Sequence, residues 1–296
     1  MKYMKQRSYV FFVLMLTAVV FIVSFELQLL QNELLIKKIV ATDIDYDNFR
    51  NLQFKEDILE EAESKVSRLI KQEPHLKDLP YIDNIGYLTF SMMASSYSLT
   101  KYELIDQITF YRGISRMAAN PAFVELYGYY KAIFKDLAYF PVPKVVQGDA
   151  DIYYDDSWGK PRTYGGDRKH EGTDLMATNN IRGFFPIISM TDGTVEKMGW
   201  LEKGGYRIGI RAESGGYFYY AHLASYAPEL EQGDRVIAGQ LLGFMGDSGY
   251  GAEGTIGQFD VHLHLGIYIN APSGEMSVNP YWVLLLLEKN RTYYNN

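Results

Sequence analysis

Apolar and polar positions divide the chain into three stretches of different period. The first is continuous: from Tyr9 to Phe25 the sequence "YVFFVLMLTAVVFIVSF" carries no charge. Seventeen such residues, at about 1.5 Å of helical rise each, reach the lower limit of a bilayer span. Lys2, Lys5 and Arg7 precede the run. That placement predicts residues 1–8 as a cytoplasmic tail, 9–25 as a transmembrane anchor, and the rest of the chain outside the cell membrane. A cleaved signal peptide is the competing reading. It wants small residues at the cut, and "IVSFELQ" does not offer them.

The second stretch, 26–138, has helical period. "FELQLLQNELLIKKIVA" places leucines at helical spacing and predicts a helix leaving the membrane. Asp43, Asp45 and Asp47 alternate as in a calcium loop. The glycine and distal glutamate of such a loop are missing, so they read as a solvated connector. In "FKEDILEEAESKVSRLIKQ", Ile58, Leu59, Ala62, Val66, Leu69 and Ile70 share one face. Further helices are expected in "TKYELIDQITF", with Thr100 as N-cap, and in "NPAFVELYGYYKAIFKDL", with Asn120 as N-cap and Pro121 at the first helical position. No chemical motif occurs here, and His75 reads as a surface residue. The region is expected to be a spacer or a surface on which a protein partner docks.

Near residue 139 the period changes to two. "GTVEKMGW", "YRIGIRAE", "YFYYAHL" and "HLHLGIY" predict strands, and "EKGG", "ESGG" and "GDSGYG" predict turns between them. The expectation for 139–296 is a mostly antiparallel, sandwich-like sheet domain, which makes the whole chain α+β. "GYGAEGTIG" lacks the lysine of a phosphate loop and reads as a mobile loop feeding the strand at 262–264. "NPYWVLLLLEKN" is too short to span a membrane. It predicts a helix opened by Pro280 that packs on the sheet.

Composition adds two exclusions. The net charge of -7 argues against nucleic acid as a partner. The absence of cysteine rules out disulfides, thiolate metal sites, a cysteine nucleophile and a lipoprotein anchor.

Histidine changes the picture most. Of five histidines, His170, His222, His262 and His264 lie in the β-rich half. His262 and His264 are two apart on a strand, so they share a face. In "KHEGTDLMA", His170 and Asp174 flank a glycine that lets the chain turn tightly. Imidazole nitrogen and carboxylate oxygen both bind zinc at roughly 2.0–2.2 Å. A third ligand from the 262–264 pair would give three protein ligands and an open position, the pattern of a catalytic zinc site. The remaining histidines would then be free for proton transfer.

These residues carry a family resemblance. "HEGTD" fits H-x-G-x-D, "HLHLG" fits H-x-H, "YAHL" lies between them, and "GDRVIAGQLLGFMGDSG" resembles the glycine-punctuated run before the H-x-H strand. Together, over about 141–288, the chain resembles the lysostaphin-type (LytM, M23) zinc metallopeptidases, which cut peptides in bacterial cell walls. Carried over by position, the resemblance implies His170, Asp174 and His264 as zinc ligands. It implies His222 and His262 as the catalytic pair, without saying which is the general base, and Tyr164 as a support for the oxyanion. It implies peptidoglycan stem or cross-bridge peptides as substrates. The loop "YGAEGTIGQFDV" is longer than is usual before H-x-H. Two other readings remain: a catalytically silent wall-binding or regulatory scaffold, and a closed structural zinc site. The second usually wants four ligands, commonly cysteines.

Overall fold

The computed structural model describes residues 2–146, 149–163 and 166–294. Helix α1 (Lys2–Val40) is continuous. Residues 9–28 of it are exposed on every face. Its last turns pack on the rest of the protein, through Asn32, Ile36 and Ile39, which follow one helical stripe.

Five further helices build the region after it: α2 (Tyr46–Asn51), α3 (Ile58–Gln72), α4 (Asn84–Ala94), α5 (Gln107–Ala118) and α6 (Pro121–Phe134). Ile58, Ala62, Val66 and Leu69 of α3 face the core, as their spacing predicts. The Asp45 carboxylate, one of the alternating acids, accepts from Asn48 N at 3.1 Å and caps α2. Asn120 caps α6, accepting from Phe123 N at 3.2 Å. Thr100 does not cap α5. That helix starts at Gln107, because Asp106 accepts from Thr109 N at 2.9 Å and from the Thr109 hydroxyl at 2.6 Å. A charged acceptor on two donors outcompetes a lone hydroxyl six residues upstream.

Among the described residues, ten strands form the main sheet: β1 (Ile152–Tyr153), β2 (Thr173–Ala177), β3 (Pro186–Ile188), β4 (Gly193–Leu201), β5 (Gly205–Ala212), β6 (Tyr217–Tyr226), β7 (Arg235–Val236), β8 (Leu241–Met245), β9 (His262–Ala271) and β10 (Gly274–Val278). The path runs β7-β4-β5-β6-β9-β2-β1, with β10 on β9 and with β8 joining β3 to β6. Every pairing in it is antiparallel.

The sheet forks along β6. Tyr217–Ala221 pair with β9, whereas Leu223–Tyr226 pair with β8. Ile208, Ile210, Phe218, Tyr220, Leu263, Leu265 and Ile267 are fully buried on one face. Helix α7 (Pro280–Leu287) lies against β9, capped by Asn279, which accepts from Tyr281 N at 3.0 Å.

The helices are not detached from the sheet. Arg50 donates to Ser277 O at 2.8 Å and to Ser277 Oγ at 2.9 Å, and Asn279 N donates to Arg50 O at 2.8 Å. Asp136 accepts from Ser214 N at 2.6 Å. One hydrophobic core runs through both parts.

Candidate metal centre and its neighbours

Asp174 sits on β2 directly opposite His264 on β9. Opposed residues of an antiparallel pair hold their Cβ atoms about 4.5–5.5 Å apart. The register alone therefore brings the carboxylate to the imidazole, and His264 Nδ1 lies 3.0 Å from Asp174 Oδ1. His170 joins from the end of a short ladder that pairs Pro161–Arg162 with Arg168–Lys169. Its Nε2 is 2.9 Å from His264 Nδ1 and 3.1 Å from Asp174 Oδ1.

Gly172 permits this approach, though not by an unusual turn, since it is absent from the residues with positive φ. A Cβ there would lie 2.5 Å from the His264 Cε1 and 2.5 Å from the Leu265 carbonyl oxygen. Glycine is required by the ring and backbone pressed against it.

Hydrogen bonds orient each ring. The Ser157 carbonyl oxygen lies 3.0 Å from His170 Nδ1 and can only accept. Arg162 Nη2 is also 2.9 Å from that nitrogen, but it has its own acceptor in Asp174 Oδ2 at 2.5 Å. Nδ1 of His170 is thus the protonated nitrogen, and Nε2 keeps its lone pair toward Asp174 and His264. Burial opposes ionisation of Asp174, yet the His170 and His264 imidazoles against it hold its carboxyl far below the usual carboxylate range. Burial lowers the pKa of His264 and keeps it neutral.

Two nitrogens and an oxygen facing one another at 2.9–3.1 Å repel unless a proton or a cation lies between them. Zinc accepts this donor set, and a tetrahedral ion at roughly 2.0–2.1 Å separates its ligand atoms by about 3.4 Å. Small outward shifts of the three side chains make that room. Among the described residues, His170, Asp174 and His264 form a group able to share one ion.

His222 and His262 lie beside this triangle, with ring centroids 4.7 Å apart. His262 shares the face of His264, as alternation predicts. His222 does not follow alternation. Phe218 and Tyr220 point into the core, and a regular strand would send residue 222 with them. Instead His222 has φ +63°, at the point where β6 leaves β9 for β8. This bulge turns the ring onto the site face.

His222 Nδ1 is 2.8 Å from Ser248 O, and His262 Nδ1 is 2.7 Å from Asp260 O. Both carbonyls accept, so each ring offers Nε2 as a base. Burial pushes both pKa values down. For His222 the charges of His262 and His264 push further, well below the ordinary imidazole value.

Of the sequence-predicted residues, His170, Asp174, His222, His262 and His264 therefore come together. Tyr164 lies outside the described residues. Arg162 was not foreseen. It meets Asp174 only through the Pro161–Arg162 ladder, and no spacing signal in the sequence marks it. A cavity of about 390 Å³ opens above the site, lined also by Tyr217, Tyr219, Tyr250 and Tyr268.

The loop at 247–261 forms one wall and is tied down. Arg182 pairs with Asp247, Gly257 N donates to Asp247 Oδ2 at 2.9 Å, and Trp200 Nε1 donates to Gly251 O at 3.3 Å. Phe259 and Tyr250 of this loop pack edge to face against His222, at 4.6 Å and 6.0 Å between centroids. The sequence predicts a mobile loop here; in the structure these bonds join it to the rest of the domain.

Residues 168–280 match the family model described as peptidase family M23. The chain is 37% identical over 194 residues to an L-Ala--D-Glu endopeptidase of Bacillus subtilis, covering 65% of this chain and 57% of that protein. It is 31% identical over 97 residues to the glycyl-glycine endopeptidase ALE-1 of Staphylococcus capitis, covering 32% of this chain and 24% of that one. It thus spans less than two thirds of either relative. A crystal structure of a candidate glycyl-glycine endopeptidase LytM from Ruminococcus gnavus is 41% identical, with a TM-score of 0.66 over 84% of this chain and 93% of that one. Likeness of that extent, on a sheet that gathers the H-x-G-x-D and H-x-H residues at one point, makes this chain a member of peptidase family M23.

Proposed function

We propose that the protein is a membrane-anchored, extracytoplasmic zinc endopeptidase acting on peptidoglycan stem or cross-bridge peptides. One observation carries the reading: His170 Nε2, Asp174 Oδ1 and His264 Nδ1 converge within 2.9–3.1 Å from segments about 90 residues apart. The names of the relatives, both peptide hydrolases, support the reaction class. The uniformly exposed apolar part of α1 supports the anchor. It is long and apolar enough to cross a bilayer, and none of the other described residues buries it. Residues 1–8 form the cytoplasmic tail, and 26–138 carry the peptidase domain, 139–296, away from the membrane.

His170, Asp174 and His264 would hold the ion. Zinc in such a site polarises a peptide carbonyl and makes water more acidic. The chain's own residues do the rest. Arg162 fixes the second oxygen of Asp174, and Ser157 fixes the tautomer of His170. His222 and His262, both neutral and both presenting Nε2, can take a proton from the attacking water and deliver one to the leaving amine. Whichever ring is charged after the first transfer sits beside the developing oxyanion and stabilises it. Tyr164 is proposed as a further donor to that oxyanion. The wall of Tyr250 and Phe259 limits water around His222.

The test is digestion of purified peptidoglycan by the full chain in detergent, with products identified by mass. New amino termini should appear, vanish with a chelator and return with zinc. Intact peptidoglycan despite bound zinc would leave only a wall-binding scaffold.

A further inference from the structure

The floor of the cavity extends past the metal centre across three more strands. His264 on β9 gives way to Tyr219 and Tyr217 on β6, then to Arg207 and Gly209 on β5, then to Lys197 on β4. Gly209 is bare because Tyr217 lies across it: a Cβ there would come 1.8 Å from the Tyr217 hydroxyl. Gly204 likewise makes room for Tyr219, whose hydroxyl would be 2.2 Å from a Cβ. The result is a trough with aromatic walls. It has the triangle of His170, Asp174 and His264 at one end and two cations at the other.

The cations differ in their partners. Arg211, the next outward-facing residue of β5, takes both acids nearby. Its Nε is 2.6 Å from Glu196 Oε2, and its Nη2 is 3.0 Å from Glu196 Oε1 and 3.9 Å from Glu275 Oε1. Arg162 takes Asp174. Among the described residues, Arg207 has no salt bridge, and its Nη1 is buried without any hydrogen-bond partner. An unpaired guanidinium N–H costs free energy, and Arg207 is part-exposed and lines the cavity, so its side chain can meet an acceptor there. Burial raises the Tyr219 phenol well above its ordinary value, and the largest opposing influence is the positive charge of Arg207. The guanidinium therefore lies close to the tyrosine whose ring is 6.0 Å from that of His264. Lys197 stands over the Tyr217 ring at 5.9 Å.

We propose that Arg207, with Lys197 beside it, receives a carboxylate of the peptide substrate. An arginine fork matches a carboxylate in shape and in charge. The β5 and β9 backbones are two strand spacings apart, about 10 Å, and the long arginine side chain shortens that gap. The carboxylate then sits one or two residues from the bond that is cut. The inference rests on the endopeptidase reading and narrows it. An acid-bearing stem peptide, such as one containing L-Ala–D-Glu, satisfies Arg207. A bridge of uncharged glycines leaves it unpaired.

Two synthetic stem peptides test this. They are identical except that the D-Glu α-carboxylate is free in one and amidated in the other. Binding to the full chain in detergent is measured by calorimetry, and cleavage by mass. The wild type should bind the free acid roughly tenfold or more tightly than the amide. Arg207→Gln should bring that ratio to about one, and Arg207→Lys should restore part of it. The ratio is internal, so a misfolded fraction affects both peptides alike. Equal wild-type binding of acid and amide overturns the proposal, as does a ratio that Arg207→Gln leaves intact. Discrimination without cleavage would keep the carboxylate site and sink the peptidase. Cleavage without discrimination would do the reverse.

Discussion

The helical and sheet regions both bury polar side chains, but the buried hydroxyls of the helices and the histidine cluster of the sheet differ in how far along the chain their partners lie. In the helices three buried hydroxyls donate locally, although Asn120 Nδ2 also reaches Val40 O at 2.9 Å. Thr89 Oγ1 donates to Ile85 O at 2.6 Å, Ser91 Oγ to Tyr87 O at 2.8 Å, and Thr109 Oγ1 to Asp106 Oδ2 at 2.6 Å. Each of these hydroxyl bonds stays within four residues and does nothing beyond holding a turn or a cap. In the sheet, His264 meets Asp174 across 90 positions and His170 across 94. Long-range contacts of that kind carry a loop-closure cost that a local bond avoids. Three lone-pair atoms turned toward one another repel as well. Fold stability alone gives no reason for such a cluster. A polar group whose partner is next door is structure, whereas polar groups gathered from afar into mutual opposition mark a site.

The largest expected effect tests that distinction directly. Asp174→Ala should take the zinc content, measured by plasma mass spectrometry, from one per chain to none, and hydrolysis to background. Removing the local partner in the helices should do neither. If the Asp174 variant kept its metal and its activity, the sheet cluster would be no more than another structural knot.

The next effect is on chemistry with the metal retained. His222→Ala should lower kcat by about 10²–10⁴-fold with zinc still bound, because His222 donates to the Ser248 carbonyl rather than to the triangle. His222→Gly should be equally inactive yet more stable than the alanine variant by about 1 kcal/mol, since φ +63° strains any side chain but suits glycine. Thermal unfolding of the pair measures that difference. An alanine variant as stable as the glycine one would show that the bulge stores no strain.

The particular residues show how far the sequence could be read. Period two gave the strands of β4, β5, β6 and β9, and His262 and His264 share a face as it requires. The α3 stripe, the cap at Asn120 and the helix opened by Pro280 were equally visible. What escaped has a common cause. Thr100 lost to Asp106 because capping depends on which donors the folded chain offers. His222 reaches the site through a positive φ at a fork in the sheet, which no alternation announces. Gly172 looked like a turn residue and is instead a gap for the His264 ring. Arg162 and Arg207 have no motif, and their neighbours are set by strand order alone. Residue types survive in sequence, but the register that brings them together does not.

Gly172→Ala sharpens the same contrast at smaller cost. The added methyl meets the Leu265 carbonyl oxygen, which belongs to the sheet ladder and cannot retreat. A loss of about 1–3 kcal/mol is expected from this overpacking, together with weakened zinc binding as the His264 ring is displaced. The two readouts separate the roles. Lost stability with unchanged zinc affinity would mean that the glycine serves the ladder and not the site.

The smallest effect comes from the helical side. Asp106→Ala removes the acceptor for Thr109 N and the Thr109 hydroxyl. It should cost about 1 kcal/mol of stability, read as a lower thermal midpoint, while zinc content and kcat stay at wild-type values. The outcome bears on more than one cap. The helices are bonded to the sheet through Arg50 and Ser277 and through Asp136 and Ser214, on elements away from the metal ligands. If that seam only fastens two layers, a weakened α5 leaves the triangle untouched. If kcat falls while the chain remains folded, the seam transmits strain to β9. The helical region would then shape the site that it has no residue in.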